Sequence, residues 1–365
     1  MLLSLSGAEF LVNTLKTRPD TQPAVASSVA AGRTVVVWAE QESSTNHNVK
    51  AQLFDAYGHR IGGEIAVAPG RENQYHPVVA MDARGNFVVA WTLEYSLTDT
   101  DVMAARFSAN GAELGAGEFA VANSWKKEYD PSVAMAADGH FVVTYTYQFA
   151  SDDTDVYAAM FRPDGTLTRH LFVAYSSQFE GQSCVAATPD GRFDVAYIKS
   201  GDVYLQRYTA AGDTIGGAVP VIRDSRTQAA PRVALDASGN ALVVFQSLSS
   251  TWGLFACRVS NTGAVGPIVT VQDTSAQETN ASLAIDPSTD RFIVAYQSDT
   301  STTHAVKVTE LLPSGTPVWT VVAGTSLTAP AVSAGVNHTF FLIDQSIGAR
   351  DGDPDGGIIG RLGQF

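Results

Sequence analysis

The stretch Pro77–Asn123 reads PVVAMDARGNFVVAWTLEYSLTDTDVMAARFSANGAELGAGEFAVAN and contains four short apolar runs. In order, the runs are Pro77–Asp82, Phe87–Trp91, Val102–Phe107 and Glu118–Val121. Gly85 and Gly111 stand in turns, where glycine adopts the positive φ that tight turns need, and Thr92–Asp101 reads as a long polar loop. Because the runs are short and no helical periodicity lies between them, the stretch predicts one antiparallel meander of four strands.

The same frame recurs along the chain at a spacing of about 50 residues. The positions that match Pro77 are Pro23, Pro131, Ser183, Pro231, Ala281 and Pro330. The end of the second run is aromatic in most copies: Trp38, Trp91, Tyr145, Tyr197, Phe245, Tyr296 and Ile343. A period of this length with four strands per unit is typical of a β-propeller. The sequence therefore predicts an all-β, seven-bladed β-propeller of four-stranded antiparallel blades that begin near residues 23, 77, 131, 183, 231, 281 and 330.

The two ends of the chain are predicted to meet in one blade. The seventh copy stops after its third run, Gly357–Leu362, and lacks a fourth. Near the N-terminus, Gly7–Asn13 reads GAEFLVN and matches GEFAVAN at Gly117–Asn123, the fourth strand of the second copy. We therefore expect residues 7–13 to complete the last blade and residues 1–365 to form a single domain. The alternative is that GAEFLVN is an unrelated N-terminal strand.

Composition restricts the classes of partner. The net charge is −14 and the pI is about 4.8, so we expect no nucleic acid, because phosphate binding requires a basic face. No apolar run reaches the length of a membrane span, and Met1–Leu5 lacks the features of a signal peptide. Cys184 and Cys257 fall in different layers of the predicted fold, so no disulfide is expected.

Several segments of the repeat resemble a repeat found in large secreted bacterial surface proteins of the haemolysin-type calcium-binding and adhesin-like class. The segments are Gly7–Thr14, Gln22–Ala26, Gly85–Trp91, Val102–Phe107 and Asn110-Gly111. The resemblance implies an extracellular or cell-surface location. Export would then use a signal outside this chain, and the alternative is that the protein stays inside the cell. A place within a larger surface protein is also open. The calcium-binding nonapeptides of that class are absent here, so calcium binding does not follow from it.

The long polar loops, at the starts of the first strands and between the second and third, are expected to share one face of the propeller, where binding would concentrate. Aromatic rings beside amides and carboxylates suit a sugar, whose CH face stacks on the ring while its hydroxyls form hydrogen bonds. The candidate ligand-binding residues in these loops are Tyr75, His76, Trp125, Tyr129, Asp130, Glu180, Gln182 and Arg226.

No catalytic or cofactor motif is evident in the sequence. Its histidines show no metal-ligand spacing, and nucleotide-binding glycine loops are absent. Asp351, Asp353 and Asp355 form the first half of a calcium loop, but Leu362 stands where the bidentate acid is expected. We therefore expect no cofactor and keep Ca²⁺ at these three aspartates as the alternative.

Two functions remain open at this point, and a third possibility is a purely structural spacer in a larger surface protein. The first is a non-enzymatic binding or adhesion module that recognises a glycan or protein ligand on the long-loop face. The second is a polysaccharide lyase or hydrolase acting on acidic glycans at the same face. β-Elimination needs a base and a cation that neutralises the sugar carboxylate, and His76, Tyr129 and Arg226 are the residues that would supply them. We favour the binding module, because no catalytic constellation is visible.

Overall fold

The fold consists of β-strands. A computed structural model describes residues 4–5, 9–14, 19–43, 45–70, 72–346 and 357–364. Within these ranges there is no α-helix, and so none that is long and apolar enough to cross a membrane.

The described residues form strands numbered here in chain order. They are β1 (Ser4–Leu5), β2 (Phe10–Leu11), β3 (Asp20–Ser28), β4 (Arg33–Ser43), β5 (Asn46–Asp55), β6 (Arg60–Ala68), β7 (Asn73–Met81), β8 (Phe87–Ser96), β9 (Asp99–Phe107), β10 (Glu113–Ala122), β11 (Lys127–Met135), β12 (Phe141–Ala150), β13 (Asp153–Phe161), β14 (Leu167–Ala174), β15 (Glu180–Ala187), β16 (Phe193–Lys199), β17 (Asp202–Tyr208), β18 (Val219–Ile222), β19 (Thr227–Leu235), β20 (Ala241–Leu248), β21 (Trp252–Val259), β22 (Val265–Gln272), β23 (Gln277–Asp286), β24 (Arg291–Asp299), β25 (His304–Leu311), β26 (Pro317–Thr325), β27 (Leu327–Ala334), β28 (Thr339–Ser346) and β29 (Ile358–Gln364).

Strands that are consecutive in the chain pair into four-stranded antiparallel units. The strands β3–β6, β15–β18, β19–β22 and β23–β26 each form a separate sheet in chain order. The strands β7–β10 and β11–β14 form two further units, joined by a single parallel bridge between Thr100 and Lys127. In the last sheet, β27 pairs with β28 and β28 with β29. These units have the form of propeller blades, as the sequence pattern predicts.

The strands extend further than the apolar runs indicate. β8 continues to Ser96 and β9 begins at Asp99, so the prediction of a loop over Thr92–Asp101 was wrong. Backbone pairing continues through this region, where Leu93 lies opposite Asp101 and Glu94 opposite Thr100. Polar side chains at the ends of two paired strands resemble a loop in sequence, although their backbone groups remain in the ladder.

The N-terminal strands pair with the C-terminal strand. Phe10 and Leu11 lie opposite Gly360 and Ile359, and β1 also pairs with β29. The amide of Val12 donates to the carbonyl of Ile358 at 2.9 Å. The Phe10 ring lies 5.5 Å from the Phe54 ring of the first four-stranded sheet. Of the predicted strand Gly7–Asn13, Gly7 and Ala8 lie outside the described residues.

The hydrophobic core lies between the sheets. Trp91 packs with Val37 and Leu53 in the cluster that joins the first two four-stranded units, and similar clusters join each later pair of neighbouring units. Another cluster joins the last sheet to the first through Trp38 and Phe341. A four-stranded sheet has two faces to bury, and packing on both neighbours buries them.

The first strands of the units stand beside one another. Each of β3, β7, β11, β15, β19 and β23 contacts the first strand of the next unit, and β27 contacts β3. At that last contact, the hydroxyl oxygens of Ser27 and Ser333 are 2.6 Å apart. The arrangement is β-propeller-like and places one strand of each unit around a shared space.

Candidate functional site

A central cavity of about 590 Å³ lies between the first strands. Residues from β3, β7, β11, β15, β19, β23 and β27 all line it. A site that every unit helps to build is the natural place for a ligand, because small-molecule sites are concave and lie where several elements converge.

Each first strand carries a bulge at the same register. The residue at the bulge has a left-handed backbone, with φ between 47° and 55°, although none of these residues is glycine. They are Gln22, His76, Asp130, Gln182, Ala230, Asn280 and Ala329, and all of them line the central cavity. We call them the bulge layer. The register shift in β7, between Tyr75 and Val78, shows how the extra residue is accommodated.

Side chains of the bulge layer bond between neighbouring four-stranded units. The amide of His76 donates to Oε1 of Gln22 at 2.7 Å. In the same way, the amide of Ala230 donates to Oε1 of Gln182 at 2.7 Å. His76 Nδ1 lies 2.7 Å from Oδ1 of Asp130. Because adjacent units are linked by these bonds, the polar groups of the layer hold defined positions at the cavity.

Two tyrosines flank this layer. The rings of Tyr75 and His76 are 5.1 Å apart in an edge-on arrangement, and Tyr129 directly precedes Asp130. Burial, followed by the negative charges of Glu94 and Asp130, raises the pKa of Tyr75 to about 12. Burial and then Asp130 also raise the pKa of Tyr129. Both hydroxyls therefore stay protonated near neutral pH and act as hydrogen-bond donors.

Five of the predicted ligand-binding residues lie in the bulge layer or directly precede it in the chain: Tyr75, His76, Tyr129, Asp130 and Gln182. They lie in first strands rather than in loops, so their predicted placement in loops was wrong. The physical reason is the bulge, which preserves strand pairing on both sides of a residue with a non-extended backbone.

The other three predicted ligand-binding residues are engaged elsewhere. Glu180 is fully buried, and its carboxylate lies 2.9 Å from Nζ of Lys199. Trp125 is 77% exposed and its ring lies 4.5 Å from the ammonium of Lys126. Arg226 pairs with Asp224 through two nitrogens, at 2.6 and 2.9 Å. Arg226 directly precedes β19, whose sheet adjoins the β15–β18 and β23–β26 sheets. His76 and Tyr129 lie in β7 and β11, so the three residues of the elimination hypothesis come from different units.

The predicted calcium ligands Asp351, Asp353 and Asp355 lie outside the described residues. Among the residues that the structure does describe, no group of three or more His, Cys, Asp or Glu side chains could hold a metal ion.

The cavity also contains residues that the sequence reasoning did not select. Gln22 and Asn280 complete the polar part of the bulge layer, and Arg232 lines the cavity two residues beyond Ala230. Comparison of the repeat copies column by column could have found Arg232, because the corresponding residues in the other copies are uncharged.

No family model matches the sequence, and no curated protein matches it. The resemblance to haemolysin-type surface proteins therefore has no family match behind it and stays a prediction.

Solved structures with similar folds cover nearly the whole chain. A lectin from Burkholderia pseudomallei has a TM-score of 0.65 at 12% identity, over 96% of this chain and 96% of the lectin. An ulvan lyase from a polysaccharide lyase family, bound to -[GlcA(1-4)Rha3S]-, has a TM-score of 0.61 at 9% identity, over 95% of this chain and 94% of the lyase. A protein of unknown function from Dyadobacter fermentans has a TM-score of 0.60 at 9% identity, over 100% and 99% of the two chains. At these identities the likeness concerns the fold alone.

Proposed function

We propose that this protein is a glycan-binding module whose site is the bulge layer together with Tyr75 and Tyr129. The observation that carries the proposal is that two half-buried tyrosines lie directly beside His76 and Asp130, two polar residues that line the central cavity. Tyrosine rings offer an apolar face to the CH groups of a sugar. The carboxylate and amide groups of Asp130 and Gln182 can bond pairs of hydroxyls.

The architecture that we propose for this site is a closed, seven-bladed β-propeller formed by residues 1–365 as one domain. Three features support it. The first strands contact one another from β3 through to β27 and back to β3. A hydrophobic cluster joins the last sheet to the first. The strands β1 and β2 add to β29, so they take the place of a fourth strand in the last blade.

Similar folds also support a glycan as the ligand class. One of the similar structures is a lectin and another is a polysaccharide lyase. We favour binding over catalysis because Arg226, the cation in the elimination hypothesis, is paired with Asp224. On this proposal the protein works outside the cell or at its surface, within a larger surface protein that presents the site.

A glycan array followed by isothermal titration with the strongest ligand would test the proposal. Tyr129→Ala is expected to weaken binding by about 1–3 kcal/mol, since it removes the ring on which a sugar would stack. Tyr57→Ala is the matched control, because Tyr57 is 74% exposed in the turn between β5 and β6, at the opposite ends of the strands. Absence of binding to any glycan, or an equal loss in both variants, would reject the proposal.

A second candidate, an acidic-glycan lyase, is favoured by one specific contact. His76 Nδ1 bonds to Asp130 at 2.7 Å, which leaves Nε2 as the nitrogen able to accept a proton. The raised pKa of Tyr129 suits a proton donor to the leaving group rather than a base. Ultraviolet absorbance of an unsaturated product from uronate polymers, abolished in His76→Ala, is the expected signal. Binding without any such product in the wild-type protein would eliminate this candidate.

A further inference from the structure

One column of the repeat carries a charge in a single copy. Two residues beyond the bulge, the copies have Ala24, Val78, Ser132, Cys184, Arg232, Ser282 and Ala331. All seven residues line the central cavity. Six of them are small or medium-sized and uncharged, so they leave space in the cavity, and only Arg232 brings a formal charge to this level.

Arg232 has no acidic partner within the described part of the chain. Its Nη1 donates to the carbonyl of Pro231 at 3.0 Å, and it forms none of the ion pairs found among the described residues. Other arginines do form such pairs, for example Arg207 with Asp194 at 3.2 Å and Arg258 with Asp236 at 2.9 Å. A guanidinium has five N–H donors. Most of the donors of Arg232 therefore remain available in a half-buried position.

The rest of the cavity lining favours an anion at this position. Among the described residues that line the cavity, Asp130 is the only acidic one, and it bonds to His76. The hydroxyl oxygens of Ser132 and Ser282 accept the amides of Val185 and Val332, each at 3.1 Å. Each serine acts as an acceptor in this bond, so its own hydroxyl proton can be donated to a further group. The lining offers an unpaired cation and hydroxyl donors, without a free carboxylate to compete.

We propose that Arg232 makes the central cavity a binding site for an anionic group, either a carboxylate or a sulfate ester. Planar guanidinium groups bind such oxyanions through two parallel hydrogen bonds. At about 590 Å³, the cavity has room for a sugar ring that carries the anion. The site's preference for an acidic sugar rests on the proposed glycan-binding function, whereas the anion site itself does not.

Cys184 provides a reporter of occupancy, because it lines the same cavity in the copy that precedes Arg232. It is a half-buried free thiol, and the other free thiol, Cys257, is fully buried. We would measure the rate at which N-ethylmaleimide, an uncharged reagent, modifies Cys184. The additions are sulfate, glucuronate and glucose, at constant ionic strength set with chloride. Isothermal titration with the same additives provides a second readout that needs no thiol.

Sulfate, glucuronate or both are expected to slow the modification and to give measurable binding, whereas glucose alone does neither. A response to just one of the two anions would identify the preferred group, a sulfate ester or a carboxylate. Arg232→Gln should weaken binding of the anion by about tenfold or more, since it removes charge-assisted hydrogen bonds. Arg232→Lys should be intermediate, because it keeps the charge but loses the planar fork. Arg162→Gln, at an exposed turn residue, should match the wild type.

The proposal is overturned if neither anion binds, or if binding persists unchanged in Arg232→Gln. These outcomes are distinct from failure of the proposed function. Binding of neutral glycans that depends on Tyr129, without any anion effect, would reject the anion site and keep the glycan-binding module. Anion binding that depends on Arg232, without binding to any glycan, would keep the anion site and reject the glycan-binding module.

Discussion

His76 Nδ1 and Asp130 Oδ1 lie 2.7 Å apart across the boundary between two neighbouring units. Both residues have a left-handed backbone, with φ of 51° and 50°. Backbone strain of this kind often marks a functional site. Here it recurs in every first strand, including at Ala230 and Ala329, so it belongs to the architecture. What distinguishes His76 and Asp130 is the chemistry of their side chains.

Ala230→Gly and Ala329→Gly are expected to stabilise the protein. An alanine with a left-handed backbone costs about 1–2 kcal/mol, and its side chain forms no polar bond in return. Glycine relieves that strain, although the greater freedom of the unfolded chain lowers the gain in unfolding free energy by about 0.5–1 kcal/mol. The net gain should be about 0.5–1 kcal/mol in the free energy of unfolding for each site, measured by denaturant titration.

The control for these variants is Ala112→Gly, at an exposed position without positive φ. It should be neutral or slightly destabilising. A loss of stability in Ala230→Gly comparable to that of the control would show that the bulge is not strained as described.

The sequence predicted the parts of the fold that depend on periodic patterns. Turn glycines and the buried aromatic column, from Trp38 to Tyr296, indicated four-stranded units, and the structure has these units. The bulge was not predicted, because its residue varies from Gln22 to Ala329 and no single residue type marks a left-handed backbone in this setting. Residues around it were therefore assigned to loops.

The site could be predicted only in part for a related reason. A contact such as His76 with Asp130 joins residues about one repeat apart, and the repeat register indicates that their positions are equivalent. The charged partners of Trp125 and Arg226 are instead local, at Lys126 and Asp224. Whether an exposed side chain turns to a neighbour or to a ligand depends on rotamers, which the repeat pattern does not encode.

Pairing between the chain termini should appear as coupling between Phe10 and Gly360. A β-carbon at Gly360 would overlap the Phe10 ring, so Gly360→Ala is expected to cost about 1–3 kcal/mol of unfolding free energy. Phe10→Ala should cost about 2–3 kcal/mol, because the ring is half-buried against Phe54. In the Phe10→Ala background, the added methyl at Gly360 should cost much less.

A double-mutant cycle by denaturant titration measures this coupling. Gly217→Ala is the matched control, because a β-carbon there meets no atom within 4 Å, and it should not couple to Phe10. Strict additivity of Phe10→Ala and Gly360→Ala would contradict the pairing of the two ends.

Asp101 should make stability depend on pH. Burial, followed by the charge of Asp99, raises the pKa of Asp101 to about 6. Between about pH 4 and pH 6 the folded state then binds more protons than the unfolded state, so this group destabilises the fold as pH rises, and the effect levels off about one pH unit above the pKa of the folded state. Asp101→Asn is expected to add about 2 kcal/mol to the unfolding free energy at pH 7.5, and little at pH 4.

The measurement is denaturant unfolding of both proteins at several pH values between 4 and 8. Asp152→Asn, at an exposed position in the turn between β12 and β13, should shift stability by no more than about 0.5 kcal/mol. A difference between Asp101→Asn and wild type that does not change with pH would show that Asp101 titrates normally.

Glu128 and Glu180 occupy the same place in neighbouring units but differ in charge balance. Each carboxylate accepts a hydrogen bond of 2.5 Å from a serine hydroxyl, that of Ser124 for Glu128 and that of Ser176 for Glu180. Glu180 lies opposite Lys199 and pairs with it at 2.9 Å, whereas Glu128 lies opposite Tyr147. Burial, and then the nearby charge of Asp101, raise the pKa of Glu128 although the Ser124 hydroxyl opposes the shift. Its ionised form is therefore disfavoured in the folded protein.

Glu128→Gln should accordingly be neutral or stabilising by up to about 1 kcal/mol at pH 7, because it removes a buried charge that forms no ion pair within the described part of the chain. Glu180→Gln should destabilise by about 1–3 kcal/mol, because it leaves Lys199 without its partner. Denaturant titration of the two variants side by side provides the comparison. Equal effects of the two substitutions would mean that Lys199 does not set the difference, and that burial alone governs both carboxylates.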